Sequence, residues 1–224
     1  LRTIIKQIAL PGHKVIVLGG HVGVHAMLLS RLVGQTGHLD VFEPNPSTLK
    51  FLKANIFFNP IKNITLYEQA AFSKNEELKC IAVARDANSG SSHLVRGKDN
   101  GVGDEITVTA VRLDDVLEIP NGGFDILQMD VEGAEAHAVF GAQNIIDHSP
   151  NLVVLQEWSP SWMNNDDLEQ YLKFWRDRGY KFAKITSDKL IEMSDDELRH
   201  APQIDLILTK RLESLTKVFK PLKH

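Results

Sequence analysis

Apolar residues in the first part of this chain fall into short unbroken runs separated by amphipathic stretches, an alternation that predicts βα units feeding a parallel sheet. Residues 15–18, Val-Ile-Val-Leu, read as a buried strand, and residues 22–33 carry helical spacing behind it. A second run, 39–42, passes directly into Glu43-Pro44-Asn45-Pro46. Asn45 has the chemistry of an N-cap and Pro46 suits the first helical position, so a helix is expected over 47–58. A third strand is expected at 64–67.

The pattern then changes. Two alternating β-rich pieces, 78–84 and 106–111, bracket a Gly/Ser/Asn/Asp-rich stretch at 86–104, which predicts a hairpin-like insertion within 74–111. It folds over the site as a lid or stays a surface hairpin. Strands at 124–129 and 152–156 are each followed by helical patterns, at 133–140 and about 166–178, the second ending at Gly179. The last runs, 180–185 and 204–208, are joined by a polar connection too short for a crossover helix, with at most a turn or two at 195–199. An adjacent antiparallel pair is therefore expected at the end of the sheet. Residues 210–224 read as a solvated helix with a frayed end. The expected architecture is one doubly wound, Rossmann-like α/β domain over 1–224, with its core at about 14–209.

Bulk properties narrow the functions. The chain has 224 residues, 43% of them apolar, enough for one substantial core. A formal charge of −4 and a pI near 6.1 weakly repel phosphate backbones and anionic lipid surfaces, so a nucleic-acid partner is not expected. Cys80 is the single cysteine, which precludes an intrachain disulfide, fits a reducing compartment such as the cytoplasm, and reads as a small buried hydrophobe. No apolar run approaches the roughly 20 residues of a membrane span. The histidines and Cys80 lack metal-ligand spacing, so no metal is expected, and neither a GxSxG elbow nor a Walker-type loop is present.

In open α/β sheets ligands bind beyond the carboxyl ends of the strands, where the strand order reverses. The residues after each predicted strand are therefore the candidates. Gly19-Gly20-His21-Val22-Gly23 would let backbone approach a ligand and aim helix amides at it. Glu43, twenty residues beyond Gly23, can accept both hydroxyls of a ribose. Ala70 and Ala71 are small enough to leave room for an adenine ring. Asp130, Glu132 and Glu135 crowd the end of the fourth run; helix N-termini favour acids, so Glu132 and Glu135 read equally as first-turn charges. Glu157 and Trp158 follow the fifth run.

Taken together, residues 14–208 resemble the FkbM-type methyltransferases. The likeness rests on the glycine turn with its following helix, on Phe42-Glu43-Pro44-Asn45-Pro46, and on Asp130-Val131-Glu132-Gly133-Ala134-Glu135, supported by Arg112-Leu113-Asp114-Asp115. The resemblance implies a class I fold with a mostly parallel seven-stranded sheet and an antiparallel last strand. It also implies S-adenosyl-L-methionine (SAM) as methyl donor and a hydroxyl on a sugar or natural product as acceptor. By that comparison Glu43 binds the SAM ribose and the turn of Gly19, His21 and Gly23 supports its methionine part; Asn45 and Asp130, after the same strand ends, are further candidates for the cofactor site. Asp130 or Glu157 then serves as the base, with Glu132 orienting the acceptor. Three positions depart from the family pattern: Val17 stands where an acid is usual, His21 where asparagine is usual, and Gln128 where lysine is frequent. A non-catalytic SAM-binding module and an NAD-dependent oxidoreductase are the rival readings. The adjacency of Gly19 and Gly20 breaks the GxGxxG spacing of the latter.

Overall fold

The run at 15–18 becomes a central strand in a computed structural model, which describes residues 1–82, 93–94 and 104–219. Strands β1 (Lys14–Leu18), β2 (His38–Phe42) and β3 (Ile64–Tyr67) come first. β4 (Ala70–Ala71), β5 (Glu76–Ala82), β6 (His93–Leu94) and β7 (Asp104–Val111) follow, then β8 (Ile126–Met129), β9 (Val153–Trp158), β10 (Lys181–Ile185), β11 (Leu190–Glu192) and β12 (Ile204–Thr209). The helices are α1 (Arg2–Ile8), α2 (Val24–Val33), α3 (Pro46–Phe58), α4 (Leu113–Val116), α5 (Glu135–Phe140), α6 (Gln143–Asp147), α7 (Asn165–Asp177), α8 (Asp195–Arg199) and α9 (Leu212–Val218).

The main sheet has the order β11-β10-β12-β9-β8-β1-β2-β3. From β9 to β3 every pairing is parallel, and β12 runs antiparallel to both β9 and β10. Order reverses at β1, whose neighbours are β2 and β8, so a crevice opens beyond Leu18, Phe42 and Met129. The period of two along β1 divides its side chains between two cores. Ile16 and Leu18 join Phe42, Leu127 and Trp158 on one face, while Val15 and Val17 join Ala26, Leu29 and Val41 on the other.

Eight strands, not seven, make up this sheet. The extra strand, β11, pairs with β10 through a turn closed by the Thr186 amide on Lys189 O at 3.0 Å. It is three residues long and buries only Leu190, too little for alternation to show in the sequence. α1 is likewise absent from the sequence reading, although Ile4, Ile5 and Ile8 bury against the second core. Helix α2 begins two residues later than its pattern, because Gly23 at φ +95° occupies the cap. Asn45 caps α3 as its chemistry predicts, accepting the Ser47 amide at 2.9 Å. A capping box of Ser194 and Glu197 turns the polar connection at 195–199 into α8.

A second sheet, of order β4-β7-β5-β6, grows from the segment after β3. Most of the 86–104 stretch, and with it the lid reading, lies outside the described residues, as do 220–224 of the expected tail. Among the described residues, no helix is long and apolar enough to cross a membrane.

Candidate active site

Backbone geometry at the end of β1 dictates glycine. Gly19 has φ +79°, and a Cβ there would lie 1.9 Å from Asp130 O; one on Gly20 would lie 2.7 Å from Val41 Cγ1. The amides of Gly19 and Gly20 both donate to Phe42 O, at 3.0 and 2.9 Å, which presses the turn against the end of β2. His21 follows with φ +46°, unusual for a residue other than glycine.

Glu43 fastens this turn to the next one. Its Oε2 accepts the His21 amide at 2.7 Å and its Oε1 accepts the Asn45 amide at 2.8 Å, with the side chain 6% exposed. A carboxylate has about four acceptor positions, so each oxygen keeps a lone pair for a ligand hydroxyl.

A cavity of about 570 Å³ opens beside these groups, within the range of small-molecule sites. Gly19, Gly20, His21, Glu43, Asn45, Asp130, Glu132, Glu157 and Trp162 are among the residues that line it. Ala70 and Ala71 also face it, although they form strand β4 against β7 and not the loop expected from sequence. Gly23 caps α2 without lining the cavity, and a Cβ there would lie 2.9 Å from Leu52 Cδ1. The sequence reading missed a whole wall of the cavity. Cys80, Ile81, Ile106 and Val108 supply it from β5 and β7, and Phe72, Arg2, His25 and Gln203 also line the space. The alternation at 78–84 and 106–111 was the available signal; which residues of it would turn toward the cavity was not.

Asp130, Glu132 and Glu157 bring one ligand oxygen each to within 4.8 Å of one another. Asp130 follows β8 and Glu157 lies in β9, parallel neighbours whose ends share a level. Glu132 reaches them from a turn in which it has φ +51° and Gly133 has φ +91°. That turn is wedged against the chain, since a Cβ on Gly133 would lie 2.7 Å from Trp162 O. Three oxygens so placed could also hold a cation, an arrangement that sequence spacing does not reveal because two strands contribute to it.

The model of the methyltransferase FkbM domain matches residues 18–182. The chain belongs to that family. No protein of curated function matches it in sequence. Among solved structures, an rRNA-methylase candidate of Clostridium thermocellum is similar with a TM-score of 0.54 at 12% identity, covering 93% of this chain and 92% of that one. Aeropyrum pernix fibrillarin, in complex with natively bound SAM, gives 0.50 at 15% identity over 93% and 72% of the two chains. An O-methyltransferase candidate of Klebsiella pneumoniae gives 0.50 at 9% identity over 92% and 75%. These likenesses show a shared α/β methyltransferase fold with a mostly parallel sheet.

Within the FkbM domain the departures take on definite surroundings. Val17 is fully buried in the second apolar core and does not line the cavity. Gln128 is buried in β8, its side-chain amide without a hydrogen-bond partner among the described residues. His21 does line the cavity.

Burial and crowding raise the acids of this FkbM domain. Asp130 is pushed up to about 6, first by burial and then by the charges of Glu157, Asp205 and Glu43. Glu132 rises to about 8 through burial and the charges of Asp130, Glu157 and Glu135. Glu135 is not an exposed first-turn charge. It is 5% exposed, accepts the Gly133 amide at 3.3 Å, and is raised to about 7 by burial.

A carboxyl held above its ordinary 4.5 favours the fold while protonated, and that contribution is lost as pH climbs through about 7. Glu135→Gln keeps an acceptor for Gly133 and removes the ionisation. Melting curves should show little difference from wild type near pH 5, and above pH 8 a gain of about 3 kcal/mol, or about 6 to 12 °C. A gain that does not grow with pH would contradict the buried, raised carboxyl.

Proposed function

We propose that this FkbM domain transfers a methyl group from SAM to a hydroxyl of a small-molecule acceptor, a sugar or natural product. The observation that carries the reading is the meeting, in one cavity, of a glycine turn tied to Glu43 with the carboxylates of Asp130, Glu132 and Glu157. The residues fit the cofactor. Spare acceptor positions on Glu43 suit the ribose, the cradle at Gly19 admits no side chain, and Ala70 and Ala71 leave space beside backbone for the adenine. When bound, SAM supplies an electrophilic methyl group on a sulfonium.

The protein's task is then alignment, exclusion of water and removal of one proton. The apolar wall of Cys80, Ile81, Ile106 and Val108 serves the second of these. Cys80 takes no part as a nucleophile, because burial pushes its thiol up to about 11. Asp130, ionised above about pH 6, would accept the hydroxyl proton that the acceptor loses. Glu157 stands beside it as the alternative base. Glu132, protonated below about pH 8, is equipped to donate its O–H to the acceptor and orient it.

Val17 and His21 favour a second reading, a domain that binds SAM without turnover. Calorimetric titration with SAM and with NAD tests the cofactor assignment. SAM binds and NAD does not, and Glu43→Gln weakens SAM by at least about tenfold, since hydrogen bonds to a charged group are the stronger ones. Unchanged SAM affinity in Glu43→Gln would remove the ribose assignment, and methyl transfer to an acceptor library separates catalysis from binding alone.

A further inference from the structure

Charge is divided unevenly along this chain. Residues 1–67 carry seven Lys and Arg against two carboxylates, Asp40 and Glu43, whereas the remainder carries eighteen against twenty-seven. Both acids of the first part are buried, while Arg31, Lys50, Lys53 and Lys62 are exposed. The surface contributed by α2 and α3 is therefore cationic, although the molecule as a whole is anionic. Glu68, just past β3, pairs with Lys53 at 2.6 Å and leaves the others uncompensated by it.

On α3, Lys50, Lys53 and Phe57 follow the i, i+3, i+7 spacing of one helical face, which sets an exposed aromatic ring, with Phe58 next to it, beside these charges. Phe57 and Phe58, at the end of α3, are 72% and 80% exposed and meet edge to face with centroids 5.2 Å apart. Lys62 Nζ donates to Phe57 O at 2.7 Å and sits 5.8 Å from the Phe57 ring centroid. Ile56, Pro60 and Ile61 flank the pair in sequence. α3 is anchored by Leu49 and Leu52 on its buried side, so the two rings take no part in that packing.

We propose that this face docks on an anionic phospholipid bilayer. Phe57 and Phe58 enter the boundary between headgroups and acyl chains, and Lys50, Lys53, Lys62 and Arg31 meet the phosphates. A second copy of this chain is the poorer occupant, because a two-fold contact through one patch sets the same lysines against each other. The acidic remainder does not cancel the attraction, since charges more than about 8 Å away are largely screened at physiological salt. α3 has 13 residues, so the rings lie about 20 Å from the Asn45 end that lines the cavity, and docking leaves the cavity accessible. The inference does not depend on methyl transfer.

Co-sedimentation of the 224-residue chain with phosphatidylcholine vesicles, with and without phosphatidylserine, tests it. Wild type partitions onto the phosphatidylserine vesicles and is released by salt. A Phe57→Ser/Phe58→Ser double variant and a Lys50→Gln/Lys53→Gln/Lys62→Gln triple variant each lose at least about tenfold in partitioning. Both keep the wild-type melting temperature, because the altered side chains are exposed. Binding to neither vesicle, equal binding to both, or variants that partition like wild type would each overturn the proposal. So would a dimer in sedimentation velocity that the phenylalanine variant dissociates, or an oligonucleotide bound in place of the vesicles.

Discussion

Asp130→Asn lowers turnover by about 10² to 10⁴, the usual contribution of a positioned base, while SAM affinity changes little. Asparagine keeps the shape of the side chain and cannot take a proton from the acceptor hydroxyl. The pH profile makes the assignment specific. In wild type, turnover rises through about pH 6 as Asp130 ionises and changes again near pH 8 as Glu132 loses its proton. The acid limb disappears in the variant. The alkaline limb moves to lower pH, because Asp130 is the largest charge holding Glu132 up. Glu157→Gln is the companion experiment, and whichever substitution removes the acid limb identifies the base. Wild-type rates in both variants would end the base assignment for this cluster.

Gly19→Ala is expected to do the greatest structural damage of any single methyl added to the site. Its Cβ would sit 1.9 Å from Asp130 O, a backbone atom that cannot swing aside, and φ +79° is itself unfavourable for alanine. Overpacking and backbone strain together cost about 3 kcal/mol or more, a fall of roughly 6 to 12 °C in melting temperature. The end of β1 must then separate from the end of β8, which moves the glycine turn away from Glu43 and abolishes SAM binding. Gly122→Ala is the control. It has φ +87° but open space around the position among the described residues, so only the backbone conformation opposes the methyl, at about 1 to 2 kcal/mol. Similar melting losses in the two variants, with SAM binding intact in Gly19→Ala, would show that close approach to Asp130 is not what requires glycine.

Much of the frame was legible in the chain because local rules govern it. The run at 15–18 is apolar at every position, as a strand covered on both faces must be, and Asn45 and Pro46 have the chemistry of an N-cap and a first helical residue ahead of a helical pattern. Glu43 could be singled out because its position after the second strand is fixed by the βα repeat. What it holds could not, since its bonds to the His21 and Asn45 amides require the glycine turn to fold back onto β2.

Sequence alone thus determined the βα alternation, the glycine turn, the cap of α3 and the acids available at strand ends, all of them consequences of local periodicity and residue chemistry. Tertiary structure decided which acids meet. Asp130 and Glu157 lie far apart in the chain and come together because β8 and β9 are parallel neighbours, with Glu132 turned toward them by a left-handed bend. It also decided their protonation, because burial and mutual repulsion depend on packing, as Glu135 shows by being buried where the sequence left it open between a site acid and a first-turn charge. And it placed β5 and β7 as a wall of the cavity, a choice that alternation leaves open because either face of a strand pair can be the covered one.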